Sequence, residues 1–396
     1  MHSARGLSGG VHGAFMIGAS VRVLFTTTSG RGHFQPMYPL ARALARAGHE
    51  VRWAGAEQVC ATLRDRGFDA VPAGIFEIVP SPLRNPPPEI AALPPPERPD
   101  LLFALLFGPL RAEPMLADLM PIVQDWRPHL LVCEQGELAG PIAAARHDVP
   151  NVTHAFGRLL PAARVARARE SMADLWRAHG LEPRPYGGTY DHLYVDIYPP
   201  SLQADDTSHL GAVQLVRPAD PIATDGAAEP LVYVTLGTVF NDDLPLFLVA
   251  VEAARALGIR VVVTLGPGND TGVLGPQPSH VTVEQFIPQS ELLPACAAVV
   301  SHAGSGTFLA ALAAGVPQVL LPQAADQFLN AQAGEQAGVA IAVPRAEVSV
   351  KRVHEALERV IGDSTFRAAA ERVRAEISAM PKPEAVVAEL ERRYAA

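Results

Sequence analysis

Two histidines set among small residues carry the most pointed chemistry in this sequence. Ser301-His302-Ala303-Gly304-Ser305-Gly306-Thr307 follows an apolar strand pattern and opens a helix near Thr307. Such a loop gathers free backbone N–H groups and the positive end of a helix dipole at one point, which suits an anion and above all a phosphate. The plain alternative is a glycine-rich turn capped by Ser305 or Thr307, with His302 packed at the strand end. The other histidine, His33, ends a loop and precedes Pro36 at a helix start, where its bland role would be to cap that helix. Gly30-Arg31-Gly32-His33-Phe34-Gln35 looks superficially like a dinucleotide fingerprint. However, Gln35 stands where a third glycine is needed, and the next strand ends Arg52-Trp53-Ala54 with no acid for a ribose, which argues against an NAD-dependent dehydrogenase. The three cysteines, Cys60, Cys133 and Cys296, fit neither a zinc pattern nor a disulfide framework and point to a reducing, cytoplasmic compartment.

Alternating strands and helices must position these loops. Val21–Thr26, Val51–Ala54, Leu130–Cys133 and Val149–Thr153 are short apolar runs rich in β-branched residues, separated by helical patterns such as Pro36–Ala47. The winding restarts with Leu231–Thr235, Arg260–Leu265, Val281–Val283, Ala297–Ser301 and Gln318–Leu321. Between the two series, Arg217–Pro230 has linker composition. The spacing predicts an α/β protein of two Rossmann-like, doubly wound domains facing across a cleft, with ligands at the carboxyl ends of the strands. Residues 1–20 read as a disordered or extra segment, 21–216 as the first domain, 217–230 as the linker and 231–375 as the second. Nine prolines within Pro80–Pro99 predict a loop or flap rather than a helix or central strand. Ser364–Ala396 reads as one or two amphipathic helices broken at Met380–Pro383.

Composition narrows the function classes. A formal charge of -9 over 396 residues, with no basic block, excludes a sequence-independent grip on nucleic acid. Leu101–Leu110 and Phe308–Pro322, the most apolar stretches, fall short of the ~20 residues of a spanning helix, so no membrane insertion is expected.

Gly315-Val316-Pro317, Pro322, Asp326-Gln327 and Asn330-Ala331 follow His302 at intervals that match the donor signature of family 1 glycosyltransferases of the GT-B fold. With Gly30-x-Gly32-His33-x-x-Pro36 and the two-lobe layout, most of the chain resembles that family, and in particular its actinobacterial members that decorate antibiotic aglycones. The resemblance implies an inverting enzyme moving a deoxysugar from a nucleotide diphosphate to a hydroxyl of a hydrophobic natural-product aglycone, with the last helix, 376–396, packing back on the first domain. It implies His33 as general base, a task that suits an imidazole, oriented by an acid at the end of a later strand; here the matching residue is Glu134, with a longer arm than the usual aspartate. On the donor side, His302 with the amides of Gly304, Ser305, Gly306 and Thr307 would stabilise the departing diphosphate without a metal or other cofactor. No D-x-D pair occurs in the chain. Asp326 and Gln327 would hold sugar hydroxyls, with an N-cap and a helix-surface residue as the alternative. Thr238 would reach the diphosphate, and Phe286 with Ile287 would lie at the nucleobase; a turn and a core aromatic are the alternatives.

Eight residues after the signature histidine, family members that use UDP-sugars commonly carry a glutamate that accepts from both ribose hydroxyls; this chain has Ala310. A methyl group cannot accept those bonds, so a thymidine-diphosphate donor is expected. A homodimer is compatible with this reading. The competing ones are a GT-B relative acting on lipid-linked sugars or as a nucleotide-sugar epimerase, and a sugar-binding module without catalysis.

Overall fold

The computed structural model describes residues 20–77, 82, 85–93, 98–220, 230–237, 243–266 and 269–394. Seven parallel strands form the first sheet: β1 (Arg22–Thr26), β2 (Glu50–Gly55), β3 (Asp69–Pro72), β4 (Leu130–Glu134), β5 (Asn151–His154), β6 (Leu193–Asp196) and β7 (Ala212–Leu215), in the order β3-β2-β1-β4-β5-β6-β7. The second has six parallel strands: β8 (Leu231–Thr235), β9 (Arg260–Thr264), β10 (Val281–Glu284), β11 (Cys296–Ser301), β12 (Gln318–Leu320) and β13 (Ala340–Ala342), in the order β10-β9-β8-β11-β12-β13. The central strands are near-continuous apolar runs because helices cover both faces: Val23, Leu24 and Phe25 of β1 and Val232 and Val234 of β8 are fully buried.

In each sheet the strand order reverses once, between β1 and β4 and between β8 and β11. The loops leaving neighbouring strands diverge there and open a crevice at their carboxyl ends. Register sets the pairing: Thr26 lies opposite Cys133, and Ser301 opposite Thr235, so the residues just after these positions share one rim.

Several local expectations are corrected. The first helical stretch starts at Arg31, as a short helix Arg31–Phe34 running into Tyr38–Arg46 through a 3-10 turn, so His33 sits on a helical turn rather than in a loop. The donor helix begins at Ser305, not Thr307, with Gly304 at its cap. Inside the proline segment, Pro88–Ala91 forms one helical turn, because proline fits the first helical position where no N–H is needed. Residues 80–81, 83–84 and 94–97 of that segment lie outside the described residues, as do residues 1–19, most of the 217–230 linker and Thr238.

The chain ends in two helices, Ser364–Ala379 and Pro383–Tyr394. The first packs on the helix Ser305–Ala313 of the second sheet. The second crosses to the helix Tyr38–Arg46, with Arg46 donating to Glu384 at 2.7 Å and His49 Nε2 3.1 Å from a Glu391 oxygen. Val386, Val387 and Leu390 share a buried cluster there with Leu40 and Leu44. The three cysteines are buried and unpaired. Among the described residues no helix is long and apolar enough to cross a membrane.

Candidate active site

The switch point of the first sheet brings His33 and Glu134 together. The chain leaves β1 and turns through Gly30 at φ 119, a backbone that side chains rarely adopt, into the helical turn that carries His33. His33 Nδ1 lies 3.1 Å from Glu134 Oε1, at the last position of β4. The Glu134 side chain is 0% exposed and that of His33 21%. Glu134 also accepts from Thr28 N at 3.3 Å, Thr28 Oγ1 at 2.6 Å and Gly136 N at 2.5 Å. Burial alone would raise this carboxyl, but the facing imidazole and the donated hydrogen bonds prevail and hold it below the ordinary carboxylate range. With Nδ1 committed to the carboxylate, Nε2 of His33 remains to accept a proton, and the rings of Phe107 and Phe156 flank the imidazole at 5.4 and 4.6 Å between centroids. An apolar recess bounded by Ile75, Phe107, Met115 and Leu138 opens beside Thr28 and Gly136.

The switch point of the second sheet carries the anion-binding geometry. His302 follows β11, and the N–H groups of Ser305, Gly306 and Thr307 form the open first turn of the helix Ser305–Ala313. A Cβ on Gly237 or on Gly304 would come within 2.4 Å of the imidazole, so two glycines let the ring lie flat between the loops after β8 and β11. Burial depresses His302 to about 4 against the opposing pull of Asp326, which leaves the ring neutral near pH 7; its buried Nδ1 has no hydrogen-bond partner. Ala303 and Ala325 both take positive φ, at 66° and 55°, a strained backbone for alanine at the two turns framing this site.

Asp326 precedes the helix Gln327–Gln336 without capping it; one carboxylate oxygen accepts from Ser305 Oγ at 2.8 Å and from Asn330 Nδ2 at 3.2 Å. Gln327 is buried rather than a surface residue, and its Oε1 accepts from Gln323 N at 2.7 Å and Ala324 N at 3.1 Å, shaping the loop that presents Asp326. Phe286 is 63% exposed, so it is not a core aromatic, whereas Ile287 is half-buried against the cluster that Ala310 also borders.

Three residues escaped assignment from sequence. Asn330, noted only within the signature, donates to Ala303 O and Ser305 Oγ and accepts from Tyr198 OH at 2.6 Å, tying the donor loop to the first domain. Gln289 donates to Thr307 Oγ1 at 3.0 Å and links the Phe286 loop to the phosphate helix. Gly157 bridges the halves: its neighbour Phe156 packs on His33, while a Cβ on Gly157 would lie 2.4 Å from Ser305 Oγ and 3.3 Å from Asp326 Oδ2. The signals were weak because each acts through a partner far away in sequence.

Two parallel sheets whose switch points meet across one cleft, one with a His–Glu pair and the other with an anion-binding helix, define a GT-B glycosyltransferase. The chain belongs to the family described as erythromycin biosynthesis protein CIII-like: the N-terminal domain of that family matches residues 102–218 and the C-terminal domain residues 249–392. It is 33% identical over 386 residues to an L-demethylnoviosyl transferase of Streptomyces niveus, covering 93% of this chain and 97% of that one. It is 29% identical to a 10-deoxymethynolide desosaminyltransferase of Streptomyces venezuelae, covering 94% and 97%. Among solved structures, a spinosyn rhamnosyltransferase complexed with thymidine diphosphate superposes with a TM-score of 0.76 at 28% identity, covering 93% of this chain and 100% of that one. The similarity is to natural-product glycosyltransferases, so the lipid-linked, epimerase and non-catalytic alternatives are not favoured.

Proposed function

We propose that this enzyme transfers a deoxysugar from a thymidine-diphosphate donor to a hydroxyl of a hydrophobic natural-product aglycone, with inversion at the anomeric carbon and without a metal. The observation that carries this reading is the short path from base to donor site: His33 touches Phe156, and the next residue, Gly157, touches Ser305 at the head of the phosphate helix. A hydroxyl beside His33 Nε2 and a diphosphate on Ser305–Thr307 would lie on opposite sides of a sugar held between them. The imidazole takes the hydroxyl proton as the oxygen bonds to the anomeric carbon, and the bond from that carbon to the diphosphate oxygen breaks on the far side. A single displacement of this kind inverts configuration. Glu134 fixes the imidazole tautomer and stabilises the imidazolium. The leaving diphosphate is met by the open amides of Ser305, Gly306 and Thr307 and by the neutral His302 ring as an N–H donor, preorganised charge stabilisation that needs no ion. Asp326 keeps an oxygen for sugar hydroxyls while the other is held by Ser305 and Asn330. The free, buried thiols agree with a cytoplasmic location.

The donor base rests on Ala310, a half-buried helix residue bordering the same buried cluster as Ile287, and on relatives of 27–28% identity whose structures hold thymidine diphosphate. Burying a ribose 2′-hydroxyl against a methyl group would cost ~1–3 kcal/mol, which a deoxyribose avoids. Calorimetric titration should show TDP binding more tightly than UDP by about 5- to 150-fold. Ala310→Glu should shift the preference toward UDP. Equal or tighter binding of UDP by the unaltered enzyme overturns the donor assignment and leaves the transfer reaction standing.

A further inference from the structure

We propose that the acceptor recess beside the dyad recognises an anionic oxygen, such as a carboxylate or ionised phenol or enol, through Arg111, so that the preferred aglycone is an acidic hydrophobe. This deepens the acceptor reading above and rests on it. Arg111 stands in the first turn of the helix Pro109–Trp126 and borders the same recess as Thr28 and Phe107. One guanidinium nitrogen, Nη1, donates to Ser29 Oγ at 2.8 Å, and that hydroxyl in turn donates to the Phe76 carbonyl. The buried Nε has no hydrogen-bond partner, and among the described residues no carboxylate pairs with Arg111. Its guanidinium carbon lies 5.8 Å from the centre of the Phe107 ring, the same ring that flanks His33. The two acids that act on it, Glu134 and Glu77, do so from a distance, and Glu134 is already engaged by His33, Thr28 and Gly136.

A cation that has lost much of its water, keeps an orphaned N–H and sits among apolar walls is costly unless something pairs with it. Merely anchoring the Ser29 loop would need one neutral donor, not a guanidinium. A planar anion on a hydrophobic body would supply the missing acceptor, stack along Phe107 and bring a neighbouring hydroxyl toward His33.

The test uses the full-length protein and two probes that differ in charge and by one methyl group, hydroxynaphthoic acid and its methyl ester, whose fluorescence reports binding at pH 6, where Glu137, which borders the same recess, keeps its proton. The wild type should bind the acid about tenfold or more tightly than the ester. Arg111→Met should bring that ratio to near unity with the ester's affinity within about twofold of wild type, and Arg111→Lys should keep part of the preference. An unchanged ratio in Arg111→Met, or equal loss of both probes, means that Arg111 only holds the loop and overturns the proposal. If Arg111→Met does not fold, a wild-type ratio near unity overturns it just as firmly, and so does failure of both probes to bind. TDP titrated into the same samples separates the two readings: retained TDP binding with no acid preference refutes the Arg111 assignment alone, whereas loss of TDP binding by the wild type would count against the transferase cleft itself.

Discussion

Replacing Glu134 with glutamine isolates the charge in the dyad while keeping the side-chain shape. In the native site the carboxylate faces His33 at 3.1 Å and is held by Thr28 and Gly136. As the imidazole takes the acceptor proton it becomes cationic, and a full charge pair at about 4 Å with an effective dielectric near ~20 is worth about 4 kcal/mol. Proton transfer is partial in the transition state, so roughly half of that is realised, in line with the ~1.5–3 kcal/mol of a hydrogen bond to a charged group. That predicts a fall in kcat of about 10- to 150-fold for Glu134→Gln. His33→Ala, which removes the base, should lose about 10²–10⁴. The assay is steady-state turnover by chromatography and mass spectrometry, using thymidine-diphosphate deoxysugars with paired phenolic and aliphatic acceptors, alongside calorimetric TDP binding. Both variants should bind TDP like the wild type, and both should lose less with the more acidic phenol, which needs less help in losing its proton. Near-normal turnover of an aliphatic alcohol by His33→Ala would refute the reasoning, as would a Glu134→Gln defect that appeared wholly in TDP affinity.

The remaining expectations concern the cleft and the buried acids. Gly157→Val should lower kcat/KM by more than about tenfold while moving Tm by only a few degrees, since its clash with Ser305 and Asp326 falls across the cleft and not in a core; unchanged kinetics would show that the halves do not work at this separation. Glu137, raised to about 7 by burial, stays protonated in the folded chain while its unfolded counterpart ionises from about 4.5, so it destabilises the fold increasingly as pH rises through that window. Glu137→Gln should therefore gain up to about 3 kcal/mol at pH 8 and nearly nothing at pH 4, as read by denaturant unfolding; an equal gain at both would place the effect in packing.

The central strands were legible because a buried parallel sheet needs continuous apolar, β-branched runs, as in Leu231–Thr235 and Arg260–Thr264. Four strands were not read. β3, β7 and β13 are short and lie at sheet edges, where partial exposure removes the need for such a run; Asp69 and Pro72 even punctuate β3. β6 is interior, but its Leu-Tyr-Val-Asp sequence follows a loop of aromatic and polar residues that hides its pattern. At the site, the His302 loop could be picked out locally from its strand end and glycines, whereas His33 as base and Glu134 as its partner came only through the family resemblance. Arg111, Asn330 and Gly157 could not be picked out locally, because their meaning lies in contacts with Ser29, Tyr198 and Ser305, whose chain positions no local spacing relates to theirs. Phe286 and Gln327 show the same limit from the other side: an aromatic after a strand is exposed, and an amide on a helix is buried, because loop geometry rather than residue type decides their burial.

The sequence Glu134-Gln135-Gly136-Glu137 places two carboxyl groups in one buried turn, and their surroundings drive them apart. Glu134 receives donors from Thr28 and Gly136 and faces an imidazole, so its charge is retained. Glu137 accepts from Thr26, Ala139 and Gly140, but burial outweighs those bonds and the charge of Glu134 adds to the burden, so it keeps its proton to about pH 7. Below about pH 7 the loop thus carries about one negative charge rather than two, and that charge points at His33. A second full charge beside it would compete for the imidazolium and for the Thr28 and Gly136 donors. The same surroundings would let a glutamate serve where an aspartate is usual: the longer arm has one more rotatable bond's worth of freedom to lose, and the three donated bonds at its tip, together with a fully buried stem, remove that freedom in advance.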